Sequence, residues 1–170
     1  MACAESGRMF EEELWIGSLC RSEGSCYSLG FTQSNKENKV NNEGLQRENE
    51  LARIALDICF KIHKLYGPGL FESVYEEIFC FELAKMEIRF ERQKPIPVVH
   101  ETIKLEAGFR ADLVIENKLL LEFKSLEVLN EVHYKQVQTY LRLADIKLGL
   151  LINFNVALLK DGIKRIICTY

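Results

Sequence analysis

The chain has 170 residues, with 22 Lys and Arg against 25 Asp and Glu and a formal net charge of −3. That length suits a single domain, no apolar run approaches the roughly 20 residues that span a bilayer, and Glu5, Glu11, Glu12 and Glu13 argue against a secretory or mitochondrial leader. The six cysteines (Cys3, Cys20, Cys26, Cys59, Cys80 and Cys168) are scattered, with no CxxC pair to suggest zinc or an iron–sulfur cluster. Free thiols are therefore expected, in the cytoplasm or another reducing intracellular compartment, with no membrane partner.

Charge is unevenly placed. Residues 1–49 hold five Lys/Arg and eight Asp/Glu, a net −3, whereas residues 50–170 hold seventeen of each. A neutral domain has no electrostatic basis for tight nonspecific nucleic-acid binding, which would need a local basic patch.

Residues 1–48 read as a disordered extension. Ser18 to Gly44 is rich in Ser, Asn, Gly, Glu and Lys, with too little apolar surface to offset the entropy of ordering. A helix is conceivable only near Phe10–Leu19. From Asn49 the pattern changes. Leu51, Ile54, Ala55, Ile58, Ile62 and Leu65 follow i, i+3, i+4, i+7 spacing, predicting an amphipathic helix over 49–65. Gly67-Pro68-Gly69 ends it. A second helix follows, about Phe71 to Lys85, with Phe71, Val74, Tyr75 and Ile78 on one apolar face. Short strands follow at Ile88–Arg92, Val98–His100 and Ile103–Leu105, the last two joined at Glu101-Thr102; Pro95 and Pro97 suit a sheet edge or a strand start. Phe109–Ile115 and Leu119–Lys124 form a further hairpin. Its faces are both apolar, with Leu113, Ile115, Leu119, Leu121 and Phe123 on one and Val114 and Leu120 on the other, as in a strand pair covered on both sides. A third helix over about Asn130–Leu143, a strand at Leu148–Phe154 and a last strand at Ile163–Cys168 complete an α/β sandwich with a mixed central sheet.

Charged residues interrupt that second hairpin. With the turn centred on Asn117, Ile115 pairs with Leu119, and Asp112 falls opposite Glu122. Facing side chains in an antiparallel pair sit about 4.5–5.5 Å apart at Cβ, where like charges repel. Lys124, two residues past Glu122, shares its face. A bound divalent cation reconciles the two acids, since Mg²⁺ or Mn²⁺ is usually held by one or two carboxylates together with waters and phosphate oxygens. Asp112 and Glu122 are the candidate ligands, and Lys124 the cation that orients a water or offsets charge on a phosphate. A solvated cross-strand ion pair also fits a bare D-x₉-E-x-K spacing. The flanking apolar residues weigh against it, because unpaired buried charge is costly. Around this centre, Glu72 and Glu76 share a helix face, and Glu72 is placed to reach a metal directly or through water. Gln136 and Tyr140 share a face of the third helix, placed to touch a phosphate or to hold Lys124 and Glu122. His63 reads as a packing or capping residue. His133, one turn before Gln136, is a weaker candidate for the site. No Ser-His-Asp arrangement assembles.

Gly69-Leu70-Phe71-Glu72-Ser73-Val74-Tyr75 resembles the motif that names the GxxExxY proteins. Ile62 through Gly69, Glu91-Arg92-Gln93, Leu141-Arg142-Leu143, Gly149 through Asn155 and Lys160 through Ile163 resemble that family too, over about residues 50–168. The family is placed among the PD-(D/E)XK, restriction-endonuclease-like nucleases. The resemblance implies an αβββαβ core over a domain spanning 49–170, a divalent metal (Mg²⁺ or Mn²⁺), and hydrolysis of phosphodiester bonds, with DNA as the expected nucleic-acid partner. It implies metal ligation by Asp112 and Glu122, helped by the Phe123 carbonyl, with Lys124 and Glu72 as further catalytic residues. Gln136-Val137-Gln138-Thr139-Tyr140 matches the Q-x₃-Y helix of the RecB-like branch. Ala111 stands where the superfamily has proline. Many such nucleases use an added domain to select substrate, so the alternative is a non-catalytic module binding nucleic acid or a protein partner.

Overall fold

The computed structural model describes residues 45–168. The expected disorder of the N-terminal extension and the conceivable helix at Phe10–Leu19 lie outside the described residues. In chain order the elements are α1 (Gln46–Tyr66), α2 (Glu72–Ala84), β1 (Phe90–His100), β2 (Ile103–Ile115), β3 (Leu119–Lys124), α3 (Glu131–Ala144), β4 (Leu148–Asn153), a single turn α4 (Leu159–Gly162) and β5 (Ile163–Ile167). Among the described residues no helix is long and apolar enough to cross a membrane.

The five strands form one sheet in the order β1-β2-β3-β4-β5. β1–β2, β2–β3 and β4–β5 are antiparallel, while β3 and β4 run parallel because α3 carries the chain back between them. β3 and β4 are the most apolar strands, Leu-Leu-Leu and Leu-Gly-Leu-Leu-Ile, and occupy the covered middle of the sheet. The sheet is therefore mixed and flanked by helices, as expected.

Each face has its own core. Leu51, Ala55, Ile58, Cys59 and Ile62 of α1 and Tyr75, Phe79 and Leu83 of α2 pack on Leu113, Ile115, Leu119, Leu121, Phe123 and Leu150. On the opposite face Val137, Tyr140 and Leu141 of α3 pack on Val114, Leu120, Leu151 and Ile166. The alternation read along the hairpin is thus realised residue by residue. Gly149 lets α3 sit close: a Cβ there would lie 3.0 Å from Val137 and 3.1 Å from Leu141.

The turn between β2 and β3 sets their register. Glu116 and Asn117 both have left-handed φ, 49° and 53°, and Lys118 N donates to Ile115 O at 2.9 Å. The loop has three residues, Glu116–Lys118, and positive φ at the two central residues of the Ile115–Lys118 turn matches the right-handed twist of the strands. Arg47 of α1 clasps Glu116 through Nε at 3.0 Å and Nη2 at 2.6 Å.

Three expectations are corrected. The predicted short strands at 88–92 and 98–100 are one strand, β1, and those at 103–105 and 109–115 are one strand, β2. Pro95 and Pro97 do not interrupt β1 because it is an edge strand and a proline's missing N–H can face away from its only neighbour. The inward face of α2 is rotated: Phe71 (82 % exposed) and Val74 face solvent, and Tyr75, Glu76, Phe79, Cys80 and Leu83 are buried. Glu76 can turn inward because Arg92 and Gln93 bind it. Leu65, at the end of α1, is also exposed rather than buried.

Candidate active site

The β2–β3 ladder pairs Leu113 with Leu121, Val114 with Leu120 and Ile115 with Leu119. Asp112 and Glu122 are the next positions outward. Asp112 Oδ2 accepts from Phe123 N at 2.8 Å. Glu122, only 2 % exposed, accepts through Oε1 from Lys124 Nζ at 2.7 Å and from Gln136 Nε2 at 3.3 Å. Its other oxygen, Oε2, is buried without a hydrogen-bond partner among the described residues, although the Asp112 backbone amide is near enough to favour the charged carboxylate. Lys124 is largely enclosed beside it.

The GxxExxY stretch delivers Glu72. Gly67 and Gly69 take φ values of 66° and 110°, which favour glycine. Tyr75 then reaches back under the loop: its hydroxyl donates to Gly67 O at 2.6 Å and accepts from Leu70 N at 3.2 Å. Its ring stacks on Phe154, with centroids 4.1 Å apart, a contact worth about 0.5–1.5 kcal/mol beyond burial. With the loop so pinned, Glu72 at the start of α2 accepts from Ser125 N at 2.8 Å, and Ser125 Oγ donates to Leu70 O at 2.9 Å. Glu72 thus fixes the chain directly after Lys124, and its charge reaches the Lys124 ammonium.

On α3, Gln136 Nε2 also donates to Tyr140 OH at 2.6 Å, and the Tyr140 ring lies 5.4 Å from that of Phe109. Gln136 and Tyr140 therefore form a bracket that ends on Glu122. His63 and His133 are engaged elsewhere. His63 Nε2 lies 2.9 Å from Val156 O, and His133 Nδ1 accepts from Asn130 N at the start of α3.

Four residues that sequence reasoning gave no role in the site complete the surroundings. Gln93 donates to Glu76 Oε2 at 2.8 Å and Asp112 Oδ1 at 3.3 Å. Glu76 in turn accepts from Arg92 Nε at 3.0 Å. Buried Asn153 at the end of β4 accepts from Leu126 N and donates to Leu126 O. The only signals for them in the sequence are the Glu72–Glu76 helical spacing and the Glu91-Arg92-Gln93 and Asn153-Phe154-Asn155 stretches.

Electrostatics follows from burial. Desolvation pushes the Glu122 carboxyl up to about 7, the nearby Asp112 charge adds to this, and Lys124 only partly offsets it. Asp112 is also raised, again chiefly by burial, against the opposing effects of the Phe123 amide, Lys124 and Gln93. For Lys124, burial acts to lower the pKa, but the bond to Glu122 and the charges of Glu122, Asp112 and Glu72 outweigh it, so the ammonium is held above its ordinary range.

Do these residues fit a divalent cation? Among the described residues no three His, Cys, Asp or Glu side chains converge as a ligand group. That leaves Asp112 and Glu122 as the candidate side-chain ligands, and one or two carboxylates completed by water and phosphate oxygens is a usual set for Mg²⁺. Glu72 is committed to Ser125 and is not drawn into a group with them. The unpartnered Glu122 Oε2 beside a second acid is the donor arrangement a hard cation would satisfy, so the fit is good.

A mixed sheet flanked by helices is the restriction-endonuclease-like fold. The family profile described as the PD-(D/E)XK nuclease superfamily matches residues 49–166, and the chain belongs to that superfamily. No curated protein and no solved structure matches it.

Proposed function

We propose that the chain is a metal-dependent nuclease of the GxxExxY type, cleaving phosphodiester bonds in DNA with its 49–170 domain. The observation that carries this is Glu122 Oε2, a buried carboxylate oxygen without a hydrogen-bond partner among the described residues, set beside Asp112 and Lys124. Leaving such an oxygen unsatisfied costs about 1–3 kcal/mol or more, a penalty that a stability role alone does not explain. Asp112 and Glu122 would hold Mg²⁺ or Mn²⁺, with the Phe123 carbonyl as a further oxygen. The ion would polarise the phosphoryl group and make a bound water more acidic.

The chain's own residues do the rest. Lys124 presents a fixed ammonium for the attacking water or for charge developing on the phosphate. Gln136 and Tyr140 hold Glu122 in one orientation, and Glu72 keeps the Ser125 amide in place behind Lys124. The test is cleavage of single- and double-stranded DNA by the purified chain with Mg²⁺ or Mn²⁺. Cleavage is expected with either metal, absent in chelator and lost in Asp112→Ala. No cleavage of any substrate, or equal cleavage by the variant, would sink the reading.

The balanced charge of residues 50–170 favours a second reading, a non-catalytic module for nucleic acid or a protein partner. Such a module has no need of metal. Saturable Mn²⁺ uptake lost in Glu122→Ala counts against it.

A further inference from the structure

Gln93 stands in β1 between Arg92, paired with Leu113, and Lys94, paired with Ala111, and so faces Asp112 across the ladder. Its φ is 48°. The other described non-glycine residues with positive φ, namely Glu87, Glu101, Glu116, Asn117 and Asp145, all lie in turns or at a helix end. A left-handed residue inside a strand is held there against its own preference by what surrounds it.

What surrounds it is a clamp. One nitrogen, Gln93 Nε2, lies 2.8 Å from Glu76 Oε2 and 3.3 Å from Asp112 Oδ1. An NH₂ group has two hydrogens, one for each carboxylate. The flipped amide would set its oxygen against both acids, so chemistry fixes the orientation. Glu76 is itself buried and anchored from its far side by Arg92. Asp112 is then bonded at both oxygens, at Oδ2 by the Phe123 amide and at Oδ1 by Gln93. That fixes the plane of the carboxylate and the direction of its remaining lone pairs.

We infer that Gln93, held by Glu76 and Arg92, is the positioning residue that aims Asp112 at the cation. This rests on the metal-dependent reading above. Partners of this kind typically carry 10–100-fold in metal affinity. A glycine at 93 would relieve the left-handed backbone while removing the amide, so stability and metal binding should part.

The experiment is Mn²⁺ titration calorimetry on the full chain, with melting of the metal-free protein measured alongside. Gln93→Gly is expected to bind Mn²⁺ about 10–100-fold more weakly while melting near the wild-type temperature, because relief of the left-handed backbone offsets the donor lost to Glu76 and Asp112. Glu76→Gln, which frees the Gln93 amide to flip, is expected to weaken binding similarly. The double variant should lose no more than Gln93→Gly alone. If Gln93→Gly does not fold, Glu76→Gln decides alone. Variants that bind as tightly as wild type, or that lose affinity only as they lose melting temperature, overturn the positioning role and leave the metal reading standing. A wild-type chain that takes up no Mn²⁺, or uptake that survives Asp112→Ala, overturns the metal reading and this inference with it.

Discussion

Glu122 makes the sharpest quantitative prediction. Its carboxyl is raised from 4.5 to about 7 in the folded chain. Below about pH 4.5 both folded and unfolded states carry the proton, and the shift contributes nothing. As pH rises further the unfolded chain ionises while the folded chain keeps its proton, so stability falls until the folded group ionises as well. The gap (7 − 4.5 ≈ 2.5 pH units) at 1.36 kcal/mol per unit amounts to about 3 kcal/mol, of which about 2.5 kcal/mol falls between about pH 5 and about pH 8. Glu122→Gln removes the ionisation. Its amide oxygen can still accept from Lys124, and any remaining difference in that bond is set by a group that does not titrate over this pH range. Urea unfolding at a series of pH values in chelator should therefore show the wild type losing ground to Glu122→Gln by about 2.5 kcal/mol from about pH 5 to about pH 8, with matched m-values. Adding Mn²⁺ at the upper pH should restore the wild type and leave the variant unchanged. Parallel pH profiles for the two proteins would refute the burial reasoning, whatever the absolute stabilities.

Other substitutions probe the rest of the site. Lys124→Met should lower kcat on a labelled oligonucleotide by about 10²-fold or more, as when a fixed electrostatic donor is removed, with the metal-free fold retained by circular dichroism. Tyr75→Phe should cost about 1 kcal/mol in urea unfolding, because the Gly67 carbonyl loses its donor. Gly162→Ala would place a Cβ 2.2 Å from the Asn153 carbonyl oxygen and should cost about 1–3 kcal/mol; because Asn153 holds Leu126, DNA cleavage should fall with it. Gln136→Ala should weaken Mn²⁺ affinity about 10-fold by calorimetry, since Glu122 loses its bracket.

The parts of the fold carried by short-range pattern were legible in the sequence. The helical spacing of α1, the alternation along 109–124 and the Ile115–Leu119 pairing each depend on neighbours a few residues apart. The pairing placed Asp112 and Glu122 in adjacent positions on one hairpin. The rotated face of α2 was not legible, because it depends on Arg92 and Gln93, sixteen and seventeen residues from Glu76. A glutamate that looks solvated by helical spacing alone becomes a buried partner once a distant strand supplies two donors. Gln93 was hidden for the same reason, and its backbone conformation leaves no trace in composition. The continuity of β1 through Pro95 and Pro97 required knowing which strand lies at the sheet edge, which is a property of the whole sheet.

The Glu116-Asn117 turn lies at the far end of the strands that carry Asp112 and Glu122. Because side chains alternate along a strand, a slip of one residue there would send the two acids to opposite faces of the sheet. The geometry of the candidate site is therefore inherited from a tight loop that lies apart from its side chains, and Arg47 guards that inheritance by gripping Glu116 from α1. A single-residue insertion between Ile115 and Leu119 would leave every candidate catalytic side chain present in the chain and dismantle the site all the same.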